Sequence, residues 1–210
     1  MVAVENTTNE TRVLGLFAEL LEYPRPGVAQ TARECRALIE AESAKAAVLL
    51  GEFAVFAERT PHATLEEIFT STFDLSASCH PYVGYHMFGE AYKRSAFMLE
   101  LQDRFREHNF TQGVELPDHI AVLLRFMECC PDTELTSEIA RDALVPTLEP
   151  MTAVPEGEPA EEGEEPPEVF DTGNDYRRVL HALRLILQVR YGSPAEIEPI
   201  PLPEPERLVS

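Results

Sequence analysis

The sequence predicts an all-α protein built as one helical domain. Apolar residues recur every three or four positions through most of the segment from residue 11 to residue 192. The segments 28–39 and 43–59 do not alternate apolar and polar residues in the way that a half-buried strand requires. The chain has 210 residues, of which 44% are hydrophobic, so it can bury one substantial core but is too short for two full domains. We therefore expect a single helical bundle.

Helix signals follow one another along this segment. The first predicted helix, Thr11–Leu21, ends where two prolines and a glycine follow in the run from Tyr23 to Gly27. A capping-box pattern at Thr64–Glu67 predicts the start of another helix. Further helices are predicted over residues 28–39, 43–59, 64–73, 82–108, 117–127, 136–148 and 175–191. The segment 82–108 is expected as one long helix or two abutting ones. Its expected core-facing residues are Tyr92, Ala96, Leu99 and Phe105.

The predicted domain, 11–192, is flanked and interrupted by segments without a helical pattern. Residues 1–10 are polar and acidic and are expected to be flexible. Residues 150–170 hold seven glutamates, repeated prolines and no basic residue, which predicts a disordered acidic loop. Residues 193–210 carry prolines at short intervals and are expected to form an extended tail.

Charge and composition exclude several classes of partner. The formal net charge is −20, from 37 acidic and 17 basic residues, and it repels both nucleic acid and anionic membrane surfaces. No run of apolar residues approaches the eighteen or so that are needed to span a membrane. The N-terminus lacks the pattern of an export signal. Four irregularly spaced cysteines favour reduced thiols over a disulfide scaffold. We therefore expect a cytoplasmic protein with a basic partner.

Short catalytic signatures are absent from the sequence. It contains no glycine-rich phosphate loop, no nucleophile elbow and no pair of cysteines spaced for metal binding. One cluster leaves a metal site open as an alternative, because thiolate and imidazole are the ligands that zinc prefers. It consists of Cys79, His80 and His86, completed by His119 or Cys129. The competing interpretation is a loop cysteine with polar histidines near a groove.

A second set of residues suggests a binding face. Tyr82, Tyr85, His86 and Gly89 lie at offsets of 0, 3, 4 and 7, so on a helix they share one side, where the glycine leaves room for a ligand. Alternatively, the tyrosines are core residues and the glycine allows close helix packing. Asp118 and His119 likewise fit either a binding site or simply the first turn of a helix.

Three segments carry a family resemblance. They are Leu20-Leu21-Glu22-Tyr23-Pro24, then Gly89-Glu90 with Arg94, and then Glu115-Leu116-Pro117-Asp118-His119. In this order and spacing the chain resembles the NarJ-type nitrate reductase delta subunit, within the TorD/DmsD family of redox-enzyme maturation chaperones. The resemblance extends over residues 11–127 and, more weakly, to the final helix.

The resemblance implies a TorD-like all-helical fold and a chaperone that is not an enzyme. Such a protein binds the N-terminal segment of the apo catalytic subunit of a molybdenum oxidoreductase and keeps it competent for insertion of molybdenum cofactor. It holds no cofactor tightly and meets the molybdenum cofactor only through its client. Formation of a homodimer is also compatible with the family.

By resemblance, the residues that bind the client peptide are Tyr82, Tyr85, His86, Gly89, Glu90, Asp118 and His119. Asp118 is expected to accept a hydrogen bond from a client amide or arginine, His119 to be a polar contact beside it, and the tyrosines to form apolar walls. Two rival functions stay open: a metal-dependent regulator and a helical adaptor for an unrelated partner.

Overall fold

A computed structural model describes residues 2–76, 79–89, 92–153 and 175–192, with side chains from residue 11 onward. The secondary structure elements of these residues are all helices, so the predicted all-α fold is confirmed. They are α1 (Val2–Leu20), α2 (Val28–Ile39), α3 (Ala44–Arg59), α4 (His62–Phe73), α5 (Val83–Phe88), α6 (Tyr92–Glu107), α7 (Ile120–Cys129), α8 (Thr133–Glu138), α9 (Val145–Thr152) and α10 (Asp175–Tyr191). A π-helical turn, Ile139–Leu144, joins α8 to α9.

The core forms where α10 packs against α3 and α9, and where α1 packs against α7 and α2. Its centre is aromatic: the fully buried ring of Tyr176 lies 5.1, 5.3 and 5.6 Å, centroid to centroid, from Phe53, Phe69 and Phe73. Complete burial of one such side chain stabilises the fold by about 1.5–3 kcal/mol. This cluster therefore ties α10 to α3 and α4.

Local signals start and stop the helices, although not always the ones expected. Ser43 caps α3 by accepting a hydrogen bond from Ala46 N, and Asp132 caps α8 in the same way. The predicted capping box at Thr64–Glu67 is wrong, because α4 already begins at His62, after Pro61. Proline suits this position, since its fixed φ angle and missing amide cost nothing where a helix begins.

The segment 82–108 forms two helices, α5 and α6, with a break at Gly89. The φ angle of Gly89 is 63°, a left-handed value that ends α5, so α6 begins with its own helical phase. Phe105 faces the core as expected, together with Leu101. The inward orientation predicted for three other residues of this helix is wrong, because they are exposed: Tyr92, Ala96 and Leu99.

The structure also differs from two predicted boundaries. Helix α1 begins at Val2, well before residue 11, because the intervening residues contain neither proline nor glycine to stop it. The acidic loop does not begin at Pro150, since α9 continues to Thr152 and buries Met151 completely. Burial of this methionine favours the helical turn despite the proline. Residues 154–170 and 193–210 lie outside the described residues. None of the described helices combines the length and apolar character that crossing a membrane needs.

Candidate functional site: a cleft around His119

A cleft of about 550 Å³ opens where the C-terminal ends of α1 and α4 meet the N-terminal end of α7. The loop between α6 and α7 forms one wall, and the residues before α5 form another. We call it the His119 cleft. It is lined by Leu21, Glu22, Tyr23, Arg25, Phe69, Phe73, Asp74, Pro81, Tyr82, Phe110, Thr111, Gly113, Val114, Glu115, His119, Ala121, Val122 and Arg125.

Two distant segments are joined at the base of the cleft by a short antiparallel bridge between Tyr82 and His119. Val83 N donates to Asp118 O at 2.8 Å, and Ile120 N donates to Pro81 O at the same distance. The bridge satisfies backbone groups just before α5 and α7, where the helices provide no partners. It therefore fixes the residues predicted near position 82 beside those predicted near position 118.

Asp118 lies beneath the cleft and has no exposed surface. Its carboxylate accepts two hydrogen bonds from Arg94, at 2.8 Å from Nε and 3.4 Å from Nη2. A Cβ atom at Gly84 would stand 2.8 Å from Asp118 Oδ2, so only glycine fits there. Close packing thus occurs at Gly84, whereas a Cβ atom at Gly89 would meet nothing within 4 Å.

Arg94 connects this buried carboxylate to the cleft wall. Its guanidinium carbon lies 5.3 Å from the centroid of the Tyr82 ring, within the range of a cation–π contact. The Tyr82 hydroxyl donates to Glu115 Oε2 at 3.2 Å. Burial, followed by the charge of Glu115, raises the pKa of Tyr82, so the phenol keeps its proton at neutral pH. Asp118, Arg94, Tyr82 and Glu115 therefore form one continuous polar chain.

His119 is the N-cap residue of α7. Its Nδ1 atom accepts a hydrogen bond from Ala121 N at 3.1 Å, and the Tyr82 ring packs edge-on at 5.4 Å between centroids. Burial lowers the pKa of His119, although four carboxylates, Glu115, Asp118, Glu22 and Asp74, act in the opposite direction. The ring is therefore neutral at pH 7. Because Nδ1 accepts, the single ring proton lies on Nε2.

The cleft combines apolar surface with carboxylates. Tyr23 and Val114 are 54% and 102% exposed, so the rim presents apolar side chains to solvent. Asp74 and Glu115 are exposed at the rim, whereas Glu22 is joined to Arg125 Nε at 3.2 Å. Such a surface offers contacts to a ligand that carries both apolar side chains and positive charge.

Comparison with known proteins identifies the family of the chain. The family model of the nitrate reductase delta subunit matches residues 37–151, more than half of the chain. The chain belongs to the nitrate reductase delta subunit family. This family consists of redox-enzyme maturation chaperones rather than enzymes.

A solved structure shares the fold. It is a crystal structure described as a redox enzyme maturation protein from Archaeoglobus fulgidus, which is 23% identical with a TM-score of 0.53. The match covers 85% of this chain and 93% of that one. The search of curated proteins finds no match.

The structure separates the predicted client-binding residues into groups. Tyr82 and His119 line the cleft, and Asp118 lies directly beneath it, held by the chain's own Arg94. Three others are half-buried on or at the end of α5 and do not line the cleft: Tyr85, His86 and Gly89. Glu90 lies outside the described residues.

Several residues of the cleft, together with Arg94 beneath it, were not among the predicted client-binding residues. Glu22 and Tyr23 lie in the first segment of the resemblance, Arg94 in the second and Glu115 in the third. The segments that hold these residues could therefore be recognised in the sequence. Their proximity could not be inferred, because it results from the packing of α1 against α7.

The metal-binding alternative finds no support among the described residues. Within them, no three His, Cys, Asp or Glu side chains are grouped so as to hold a metal ion. His86 Nε2 is instead 2.8 Å from the backbone oxygen of His80, and the side chain of Cys79 is buried. The imidazole and the thiol thus serve the local fold.

Proposed function

We propose that this chain binds the N-terminal segment of the apo catalytic subunit of a nitrate-reductase-type molybdenum oxidoreductase. Binding keeps the subunit competent for insertion of molybdenum cofactor. The chaperone itself holds no cofactor tightly and acts in the cytoplasm. Membership of the delta subunit family supports this proposal at the level of a maturation chaperone.

One observation carries the proposal: two segments of the resemblance contribute lining residues to the same cleft, and the second supports its floor. Leu21, Glu22 and Tyr23 come from the first segment, and Glu115 and His119 from the third. Arg94, from the second, holds Asp118 under the floor. A single ligand in the cleft would contact residues that are far apart in sequence.

The chemistry of the cleft suits an arginine-bearing peptide with apolar neighbours. A guanidinium group forms strong paired hydrogen bonds with carboxylates, and Asp74 and Glu115 stand at the rim. Apolar side chains of the same peptide would pack against the rings of Phe69, Phe73 and Phe110. The net charge of −20 would further attract a basic segment at low salt.

In this arrangement Asp118 supports the site instead of touching the client. Its carboxylate holds Arg94, and Arg94 in turn supports the ring of Tyr82. We assign direct contact with the client to Tyr82 and His119. We assign outer contacts to Tyr85, His86 and Gly89, on or at the end of α5, and to Glu90, which follows Gly89 in the sequence.

The first test identifies the client. The tagged chain is expressed together with the operon of its molybdenum oxidoreductase, and bound proteins are identified by mass spectrometry. We expect recovery of the large apo catalytic subunit. Recovery of an unrelated protein alone would favour the adaptor function and contradict the proposal.

The second test measures binding of a synthetic peptide from the N-terminus of that captured subunit by calorimetry. Glu115→Gln keeps an acceptor for the Tyr82 hydroxyl but removes the charge, so affinity should fall roughly tenfold, as for loss of one charged hydrogen bond. Glu149→Gln is the matched control, because Glu149 is an exposed glutamate outside the cleft. Equal losses in the two variants would indicate a general charge effect and exclude the cleft.

A further inference from the structure

The imidazole of His119 is held in a defined orientation by its own helix. It caps α7 through Nδ1, which accepts from Ala121 N at 3.1 Å. A histidine is an uncommon cap, since the hydroxyl, carboxylate and carboxamide oxygens of Ser, Thr, Asp and Asn are preferred there. A neutral ring that accepts through Nδ1 must carry its proton on Nε2, so this cap also fixes the tautomer.

Within the described residues, the hydrogen bond of the His119 side chain is made by Nδ1, and none is made by Nε2. The side chain lines the cleft and is only 6% exposed. A ligand that covers the cleft would remove this N–H from water, and a buried donor left unpaired costs about 1–3 kcal/mol. The cleft is therefore suited to a ligand that brings an acceptor.

We infer that His119 Nε2–H is a fixed donor that donates a hydrogen bond to one carbonyl oxygen of the client peptide. This inference rests on the proposed function and defines one subsite within it. The acceptor is expected to be a main-chain carbonyl and not a carboxylate, because Glu22, Asp74, Glu115 and Asp118 all act on His119 and would repel an anion. The subsite thus recognises extended or unwound backbone, while the rim carboxylates recognise positive charge.

The same geometry makes the subsite sensitive to acid. Protonation would place a hydrogen on Nδ1, so the ring could no longer accept from Ala121 N and the cap of α7 would be lost. The pKa of His119 is lowered from 6.5, chiefly by burial, so the ring stays neutral until the pH falls below the ordinary histidine range. The groups that face it are Glu22, Asp74, Tyr82, Glu115, Asp118 and Arg125.

Two substitutions separate the cap from the donor. His119→Asn keeps a good helix cap but has no N–H at the position of Nε2. His119→Gln loses the cap but can place its amide N–H near that position. We expect the full-length His119→Asn variant to unfold at the wild-type temperature and to bind the captured subunit's N-terminal peptide about three- to tenfold more weakly, as for one lost hydrogen bond. His119→Gln should bind more tightly than His119→Asn, although it is less stable.

The tautomer is measured independently of any ligand, from the ¹⁵N shifts of the two ring nitrogens in the full-length protein. We expect protonated Nε2 and unprotonated Nδ1 above pH 6.5, and a change in the Nε2–H signal when the peptide is added. A proton on Nδ1 would overturn the inference. Wild-type affinity in His119→Asn, with affinity still reduced in Glu115→Gln, would overturn it and leave the proposed function intact. Failure of the wild type to bind the peptide would instead contradict the proposed function.

Discussion

The aromatic centre of the bundle and the floor of the His119 cleft are both buried, but they are built from different groups. Around Tyr176 the contacts are ring against ring, with Phe53 and Phe73 among them. Around Asp118 they are hydrogen bonds and an ion pair with Arg94. Apolar contacts tolerate small shifts, whereas a hydrogen bond weakens steeply with distance and angle. The cleft therefore depends on a few partners that cannot be exchanged.

This difference assigns stability and geometry to separate regions. A buried ion pair gives little net stability, because removing both charges from water costs nearly as much as their attraction returns. The Arg94–Asp118 pair instead fixes the position of the Arg94 guanidinium against the Tyr82 ring. We therefore expect substitutions of Phe53 and Tyr176, which belong to the aromatic centre but do not line the cleft, to change stability alone. Substitutions beneath the cleft should change both stability and client binding.

The largest effect is expected for Asp118→Ala. The substitution leaves Arg94, whose side chain is only 18% exposed, without its carboxylate. Loss of one partner from a buried pair costs about 3–5 kcal/mol, and the partial exposure of Arg94 favours the lower end. Denaturant unfolding measures this loss, and calorimetry with the client peptide should show weaker binding, because Tyr82 loses its support.

A double-mutant cycle with Arg94→Ala tests whether the two residues act as a pair. The double variant should be clearly more stable than the sum of the single losses predicts, since neither charge is then left alone. Additive losses would contradict the pairing. Unchanged peptide affinity in Asp118→Ala would remove the polar chain beneath Tyr82 from the site.

Gly84→Ala is expected to have the next largest effect. The new methyl group would stand 2.8 Å from Asp118 Oδ2 and 3.0 Å from Arg94 Cγ, so the pair must shift. Overpacking of this kind costs about 1–3 kcal/mol. Gly51→Ala is the matched control on another helix, because its methyl group meets only the flexible end of Arg36. It should stabilise the protein by about 0.5–1 kcal/mol through helix propensity. Thermal unfolding distinguishes the two, and equal effects would contradict the close approach at Gly84.

The sequence allowed prediction of the helices more readily than of their contacts. Apolar spacing predicted α10 with its buried face of Tyr176, Val179 and Leu183, because that periodicity depends only on neighbours along one helix. It did not predict the orientation of α6. Tyr92, Ala96 and Leu99 share one side of this helix, but the buried residues Leu101 and Phe105 lie on the opposite side.

For the candidate site, too, the sequence predicted individual residues but not the contacts between distant segments. Tyr82 and His119 were expected from their segments, and the structure places both in one cleft. The bond between Asp118 and Arg94 was not predicted, because Arg94 lies on another helix and no local spacing connects the two residues. Glu22 and Tyr23 entered the site only through the packing of α1 against α7. Long-range contacts of this kind are determined by the whole fold.

The smallest effect concerns two matched Tyr→Phe substitutions, one in each region. Within the described residues, the buried hydroxyl of Tyr176 has no hydrogen-bond partner, and burial raises the pKa of this phenol. Because an unpaired buried hydroxyl is destabilising, Tyr176→Phe should leave stability unchanged or raise it by up to about 1 kcal/mol. Client binding should not change. Tyr82→Phe removes the hydrogen bond from the hydroxyl to Glu115, which is exposed at the surface. The free energy of unfolding should therefore change little, whereas peptide affinity should fall a few-fold. Unfolding and calorimetry on both variants provide the measurement. A loss of stability in Tyr176→Phe would show that a polar contact also holds the aromatic centre, and the contrast between the two regions would then fail.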